Sequence, residues 1–164
     1  MLFFSFQSPS FFIFVQMPAM TRLSAPINIL PLSGLELLPF GKTQQDGLHL
    51  LGLPDKEQLF EEPLLATKHL VLHYQEADLS LYFDLHDKGR LCSFECGNRL
   101  ALLCGQPIFQ LDEKALSAYM KSLGYALSET EQTTWGEKRL GFDEAGIDAF
   151  FENRKLNLLQ AGSL

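Results

Sequence analysis

From Lys68 onward, apolar and polar positions alternate along the chain, and before that point they recur at helical spacing. Leu70, Leu72 and Tyr74 fall on one side of an extended segment, with Val71 and His73 on the other. Leu79, Leu81 and Phe83 then share one side of a second segment, opposite Ser80, Tyr82 and Asp84. Arg90 to Cys96 reads as a third strand after the loop His86-Asp87-Lys88-Gly89. Three more strands are expected near Lys138 to Phe142, Gly146 to Glu152 and Lys155 to Gln160.

Two stretches carry the same spelling. L-H-Y-Q-E-A-D-L-S-L-Y-F-D (Leu72 to Asp84) matches L-G-F-D-E-A-G-I-D-A-F-F-E (Leu140 to Glu152) in chemical type, position by position, at one constant offset. Each is followed by a basic-apolar run, Gly89 to Glu95 and Arg154 to Gln160, and only the intervening turn changes length. Asp78 occupies the turn position that Gly146 takes in the second copy, so both are expected in the left-handed region.

Helical spacing precedes each copy. In Lys42 to Asp55, Thr43 is the expected N-cap, Asp46 lies in the first turn, and Leu48 and Leu51 are three apart. Gly52 and Pro54 mark the end. Asp55 to Glu62 is expected to add a second helical turn or two. Asp112 caps an amphipathic helix to Leu123 in which Leu116, Tyr119, Met120 and Leu123 form the apolar stripe, and Gly124 stops it. Leu100 to Phe109 reads as a strand broken at Gly105-Gln106-Pro107, and Ala126 to Thr134 as a polar, extended segment before the turn Trp135-Gly136-Glu137.

The expected fold is therefore α+β. It has two tandem units over residues 30–97 and 98–164, each a short helix or helix-loop-helix followed by a three- to four-strand antiparallel meander. One such unit buries its apolar face poorly, whereas two side by side share a core. Residues 1–29 are expected to form a poorly ordered extension. Met1 to Met20 has no charge, hence no positive region ahead of an apolar run, and Gln7, Ser8, Pro9, Ser10 and Gln16 interrupt it. No stable membrane span is expected, and an upstream extension is favoured over a weak uncleaved signal.

An apolar fraction of 46% with 20% charged residues belongs to a globular chain. A formal charge of −7 and a pI near 5.0 argue against nucleic acid and suit a soluble cytosolic protein, or one with a basic partner. Cys92, Cys96 and Cys104 are odd in number, and the first two lie about 13 Å apart along one strand, too far for a disulfide. Buried free thiols in a reducing compartment are expected. The same spacing argument separates His69 from His73, so the His/Cys pairs are not expected to hold a metal, and no cofactor is expected. Ser80 and Ser93 sit mid-strand, away from any nucleophile elbow. A Cys104–His dyad has no supporting neighbour in the sequence, Asp84 and Glu95 read as solvated carboxylates, and no phosphate-binding G-x-x-x-x-G-K occurs.

G-L-E-L-L-P-F-G-K-T-Q-Q-D-G-L-H-L-L-G-L-P-D (Gly34 to Asp55) resembles a motif of small bacterial helix-plus-meander domains. Small outer-membrane assembly lipoproteins use one such unit, and the beta-lactamase inhibitor proteins use two in tandem. The resemblance implies sheets that together present a concave protein-binding surface. It departs from both groups, because there is no amino-terminal lipobox cysteine and no pair of disulfides. On the strand side away from the helices the sequence places His73, Tyr82, Asp84, Ser93 and Glu95, then Arg139, Asp148, Phe150 and Glu152, with Trp135 at an adjacent turn. Aromatics with arginine mark energetic centres of interfaces, which makes His73, Tyr82, Trp135, Arg139 and Phe150 the candidate binding residues. The expected function is a non-enzymatic, cytoplasmic binding protein of immunity or inhibitor type. The alternatives are a small-molecule binder or cryptic enzyme with a pocket between the repeats, and an envelope assembly factor.

Overall fold

The structure is a computed structural model and describes residues 26–163. The expected disorder of the first residues lies outside that range, apart from its carboxyl end. There the expectation fails: Ile27 and Ile29 are buried core residues and Asn28–Leu30 is strand β1, so the fold begins before residue 30.

Gly34–Leu35 (β2) pairs back on β1, and α1 follows at Gln44–Leu51. The Thr43 side chain accepts from the Asp46 amide while the Asp46 carboxylate accepts from the Thr43 amide, which satisfies two of the helix's free N–H groups. Gly52 (φ 81°) closes the helix. Gly47 lies against the sheet, where an added Cβ would come within 3.3 Å of the Phe83 ring, so a larger residue would lift α1 off its seat.

The segment after α1 is not helical. Lys56–Glu62 is strand β3, paired along its whole length with β4 (Thr67–Tyr74). K-E-Q-L-F-E-E has helix-forming composition, but it is an edge strand exposed on both sides, so no alternation betrays it, and pairing with β4 overrides propensity. Leu79–Asp84 (β5) and Arg90–Cys96 (β6) complete a four-strand meander.

Leu102–Leu103 (β7) and Gln106–Pro107 (β8) form a minimal hairpin through Cys104 and Gly105, both at positive φ. A 3-10 turn at Ile108–Gln110 leads to α2, Glu113–Ser122, capped by the Asp112 carboxylate. The second meander is β9 (Glu129–Gln132), β10 (Glu137–Phe142), β11 (Ile147–Glu152) and β12 (Lys155–Gly162).

The eight long strands make one sheet in the order β3-β4-β5-β6-β12-β11-β10-β9. The meanders meet through their last strands, β6 and β12, which run antiparallel. A second sheet, β2-β1-β7-β8, joins the lead-in segments through a parallel β1–β7 contact. The architecture is α+β, as the sequence indicated. Leu72, Leu81, Phe83, Phe94, Phe142, Phe151 and Leu159 point from the large sheet into one core shared with Leu51, Leu116 and Met120 of the helices and with Ile29 and Leu103 of the small sheet.

Both meanders carry a bulge at the same place. The register shifts between Tyr82 and Phe83 and again between Phe150 and Phe151, leaving Cys92 and Asn157 as the extra residues. Each bulge keeps the residue before it, Leu91 or Leu156, facing the core. Just beyond, Gly41 N–H donates to the Leu91 carbonyl, and the Arg99 guanidinium donates to the Leu156 carbonyl. The repeat thus extends to how its bulges are anchored, with a side chain doing in one half what backbone does in the other.

Candidate functional site

Helices and small sheet cover one side of the eight strands. Cross-strand register fixes what stands on the other. Val71 lies directly across from Tyr82, and Tyr82 across from Ser93. In the second meander Arg139 lies across from Phe150, and Phe150 across from Leu158. Val71 and Arg139 are repeat equivalents, as are Tyr82 and Phe150. The two halves therefore present an apolar-aromatic pair and a cation-aromatic pair at matching sites. Val71 is only 2% exposed although it lies outside the core cluster, so the side chains of the open face themselves bury it. Tyr82 and Phe150 are half-buried, three strand spacings apart across the sheet and four residues apart along it, on the order of 20 Å in all.

Each candidate residue has a specific setting. The Tyr82 ring meets His69 edge-on at 6.5 Å between centroids. Burial, with the nearby Glu95 carboxylate, pushes its phenol up to about 12, so the ring presents a neutral hydroxyl at physiological pH. His73 shares a 2.9 Å hydrogen bond with the Ser80 hydroxyl across β4 and β5. Arg139 holds three carboxylates, Glu129 at 2.6 Å, Asp148 at 2.8 Å and Glu131 at 3.2 Å. Its burial works against the charge, but Asp148 and Glu129 outweigh that effect and its pKa is raised. Four of the five candidates, His73, Tyr82, Arg139 and Phe150, thus share the open face. Trp135 does not join them: it stands 80% exposed in the turn between β9 and β10.

The sequence reading missed the carboxylate clamp on Arg139. Its signal is the alternation Glu129-x-Glu131, which puts both acids on one side once β9 is a strand in register with β10. It also missed Val71 as a buried member of the face.

The same register bears on the other chemistries. His73 faces outward beside Ser80, whereas Cys96, across from Leu79, is buried in the core, so the two stand on opposite sides of the sheet. Among the described residues no group of three or more His, Cys, Asp or Glu side chains is placed to hold a metal. Cys92 sits in the bulge and donates toward the Tyr82 carbonyl, and burial raises its thiol pKa. Of the thiols expected to be buried only Cys96 is, and burial pushes it up to about 11. Cys104 stands exposed in the β7–β8 turn because that two-residue hairpin turns it outward, and the little burial it has still raises its pKa. Neither setting favours the thiolate a nucleophile needs. Two shallow hollows of about 310 Å³ each open to solvent at repeat-equivalent turns. One is lined by Lys56, His73, Asp78 and Ser80, the other by Asp143, Gly146, Asp148 and Gln160.

Comparisons with known proteins add a distant likeness. No protein-family model matches the sequence, and no curated protein does. Among solved structures, the chain is similar to a DUF4309 family protein (YjgB) from Bacillus subtilis, at 12% identity over 79% of this chain and 84% of that one, with a TM-score of 0.49. Among the described residues no helix is long and apolar enough to cross a membrane.

Proposed function

We propose that this chain is a non-enzymatic protein-binding module of immunity or inhibitor type, acting in the cytoplasm, which engages its partner through the open face of the eight-stranded sheet. The observation that carries the reading is the pairing of Val71 with Tyr82 and Arg139 with Phe150 at repeat-equivalent sites on a face that, among the described residues, no helix covers. Half-buried aromatic rings beside an arginine already fixed by carboxylates lose little conformational freedom on binding, which is the economy that interface centres exploit. Glu129, Glu131, Asp148 and Glu152 make the β9–β11 side of the face acidic, so a basic partner is the complementary one. The resemblance to tandem beta-lactamase inhibitor domains in the Gly34 to Asp55 motif supports the same use of the sheet.

The test starts from the tagged chain purified from its own cells, with the co-purifying protein identified and then prepared pure. Calorimetry should show that Tyr82→Ala and Phe150→Ala each weaken binding tenfold or more while the circular dichroism spectrum stays native. Unchanged affinity in both variants, with the fold intact, removes the open face from the interaction.

A further inference from the structure

The eight-stranded sheet has two edges that the repeat makes equivalent and the side chains make different. β9 is four residues long and wholly polar, and two of its carboxylates are held by Arg139. A short charged edge is a common guard against an unwanted strand. β3 is longer and guarded less: four of its seven residues are charged, but Leu59 and Phe60 stand exposed between them. It runs seven residues, pairs with β4 on one side, and among the described residues carries no strand on the other. Six of its residues are exposed, including Leu59 at 51% and Phe60 at 45%. Alternate N–H and C=O groups along its outer side are therefore left without a strand partner among the described residues. The turn that follows adds Leu64 at 94% and Leu65 at 73% exposure, so apolar side chains gather at the open end of that backbone.

The charges on β3 select among occupants. Because Glu57 and Glu61 stand on the helix side of the sheet with Leu59, a second copy added antiparallel at full length would be centred on Leu59. That register places Glu57 across from Glu61 of the other copy twice, cancelling the two favourable Lys56–Glu62 contacts. Shifting the register by two residues either way loses the Lys56–Glu62 contacts and shortens the ladder. With one lysine against three glutamates, and, among the described residues, only Glu61 already paired, to Lys68 at 2.7 Å, the edge is complementary to a basic strand.

We propose that the β3 edge receives an extended segment of another protein by antiparallel strand addition, with basic residues across from Glu57 and Glu61 and apolar residues across from Leu59 and Phe60. This surface does not depend on the Tyr82–Phe150 reading, since β4 separates it from Tyr82.

A dye-labelled heptapeptide, KKIVTKE, sets lysines across from both glutamates, valine across from Leu59 and isoleucine across from Phe60. Titrated against the full-length protein, it should bind at least tenfold tighter than KKPPTKE, which keeps the charges and cannot continue a ladder. Binding should slow amide exchange along β3, and L59K with F60K should abolish it. Both side chains are half-exposed, so the fold should survive. Should it not, the charge reversal E57K with E61K offers the second arm, moving preference to KEIVTEE. Tyr82→Ala and Phe150→Ala should leave the peptide affinity unchanged, which separates this site from the open face. Equal binding of KKIVTKE and KKPPTKE would reduce the effect to charge and overturn the proposal. So would a sedimentation result in which the chain dimerises, the dimer is lost in L59K, and peptide and dimer compete.

Discussion

Glu95 of β6 lies directly across from Gln160 of β12, its own counterpart in the other repeat. On either side of this pair Phe94 faces Ala161 and Cys96 faces Leu159, so each neighbour meets the equivalent of the other. The approximate two-fold relating the meanders passes through the Glu95–Gln160 contact. A row that is polar except at Gly141 crosses the sheet there, from Lys56 through His73, Ser80, Glu95, Gln160, Asp148 and Gly141 to Glu129. Beside the row, the carboxylate of Glu95 neighbours Tyr82, whereas the amide of Gln160 neighbours Phe150. The face thus carries one geometry twice with different chemistry.

The Glu95–Tyr82 contact makes a prediction at alkaline pH. The folded Tyr82 phenol ionises at about 12, above its ordinary value near 10, because burial and the Glu95 charge disfavour phenolate. A group whose folded pKa lies above its unfolded one contributes stability fully present below the unfolded value and lost as pH rises through the folded one. Tyr74 behaves alike, raised to about 12 chiefly by burial. The melting temperature should therefore fall between about pH 10 and 12, and Tyr82→Phe should shrink that fall without abolishing it. Glu95→Gln should lower the Tyr82 transition in a phenolate absorbance titration but leave it above 10, because burial is the larger cause. A Tyr82 transition at its ordinary value would contradict the half-buried placement.

A second prediction concerns the turn that the repeat brings to light. Asp78 has φ 46° where Gly146 has φ 62°, as the alignment of the two copies indicated. The Asp78 carboxylate occupies the space over Gly97, so that an added Cβ at Gly97 would sit 2.2 Å from it. Gly97→Ala should cost about 1–3 kcal/mol by overpacking. Asp78→Gly alone should be near neutral, since a left-handed residue loses strain about as fast as the unfolded chain gains freedom. Combined with Gly97→Ala it should restore most of the loss, and denaturant midpoints of the four proteins in that cycle would show the coupling. Simple additivity would mean that something other than the carboxylate opposes the methyl group added by Gly97→Ala.

Where elements were long and one-sided, the sequence spoke plainly. Both helices carry their caps at Thr43 and Asp112, and β5 and β11 alternate because one face is core and the other is not. β3 was hidden because an edge strand exposed on both sides has no reason to alternate. β1 and β7 are too short for any period, and their parallel contact is a purely tertiary event. The bulges at Cys92 and Asn157 left the open-face assignments of Ser93 and Glu95 standing, yet only the paired register shows them. For the site, alternation sufficed to put His73, Tyr82, Arg139 and Phe150 on one side. Which acids would reach Arg139 depended on the β9–β10 register, and the burial of Val71 depended on neighbours from other strands.

The Arg139 clamp supports the last prediction. Three carboxylates converge on one guanidinium, and they differ in setting: the Asp148 side chain is 33% exposed and 2.8 Å away, whereas Glu131 is 61% exposed and 3.2 Å away. Exposed pairs contribute a few tenths of a kcal/mol, and shared, partly buried ones more. Arg139→Met keeps the aliphatic stem over Phe150 but leaves three like charges together, and should cost about 1–2 kcal/mol at neutral pH and low salt. Added salt should narrow that gap, because the repulsion left behind is screened. Double-mutant cycles read from chemical denaturation should rank the Arg139 coupling with Asp148 above that with Glu131, and salt should erase the Glu131 coupling first. The equivalent residue, Val71, has Ser80 where Arg139 has Asp148, so Val71→Arg finds no such acid and should destabilise the protein rather than create a second clamp. Equal couplings for Asp148 and Glu131, or a Val71→Arg variant as stable as the parent, would mean that burial does not set the strength of these contacts.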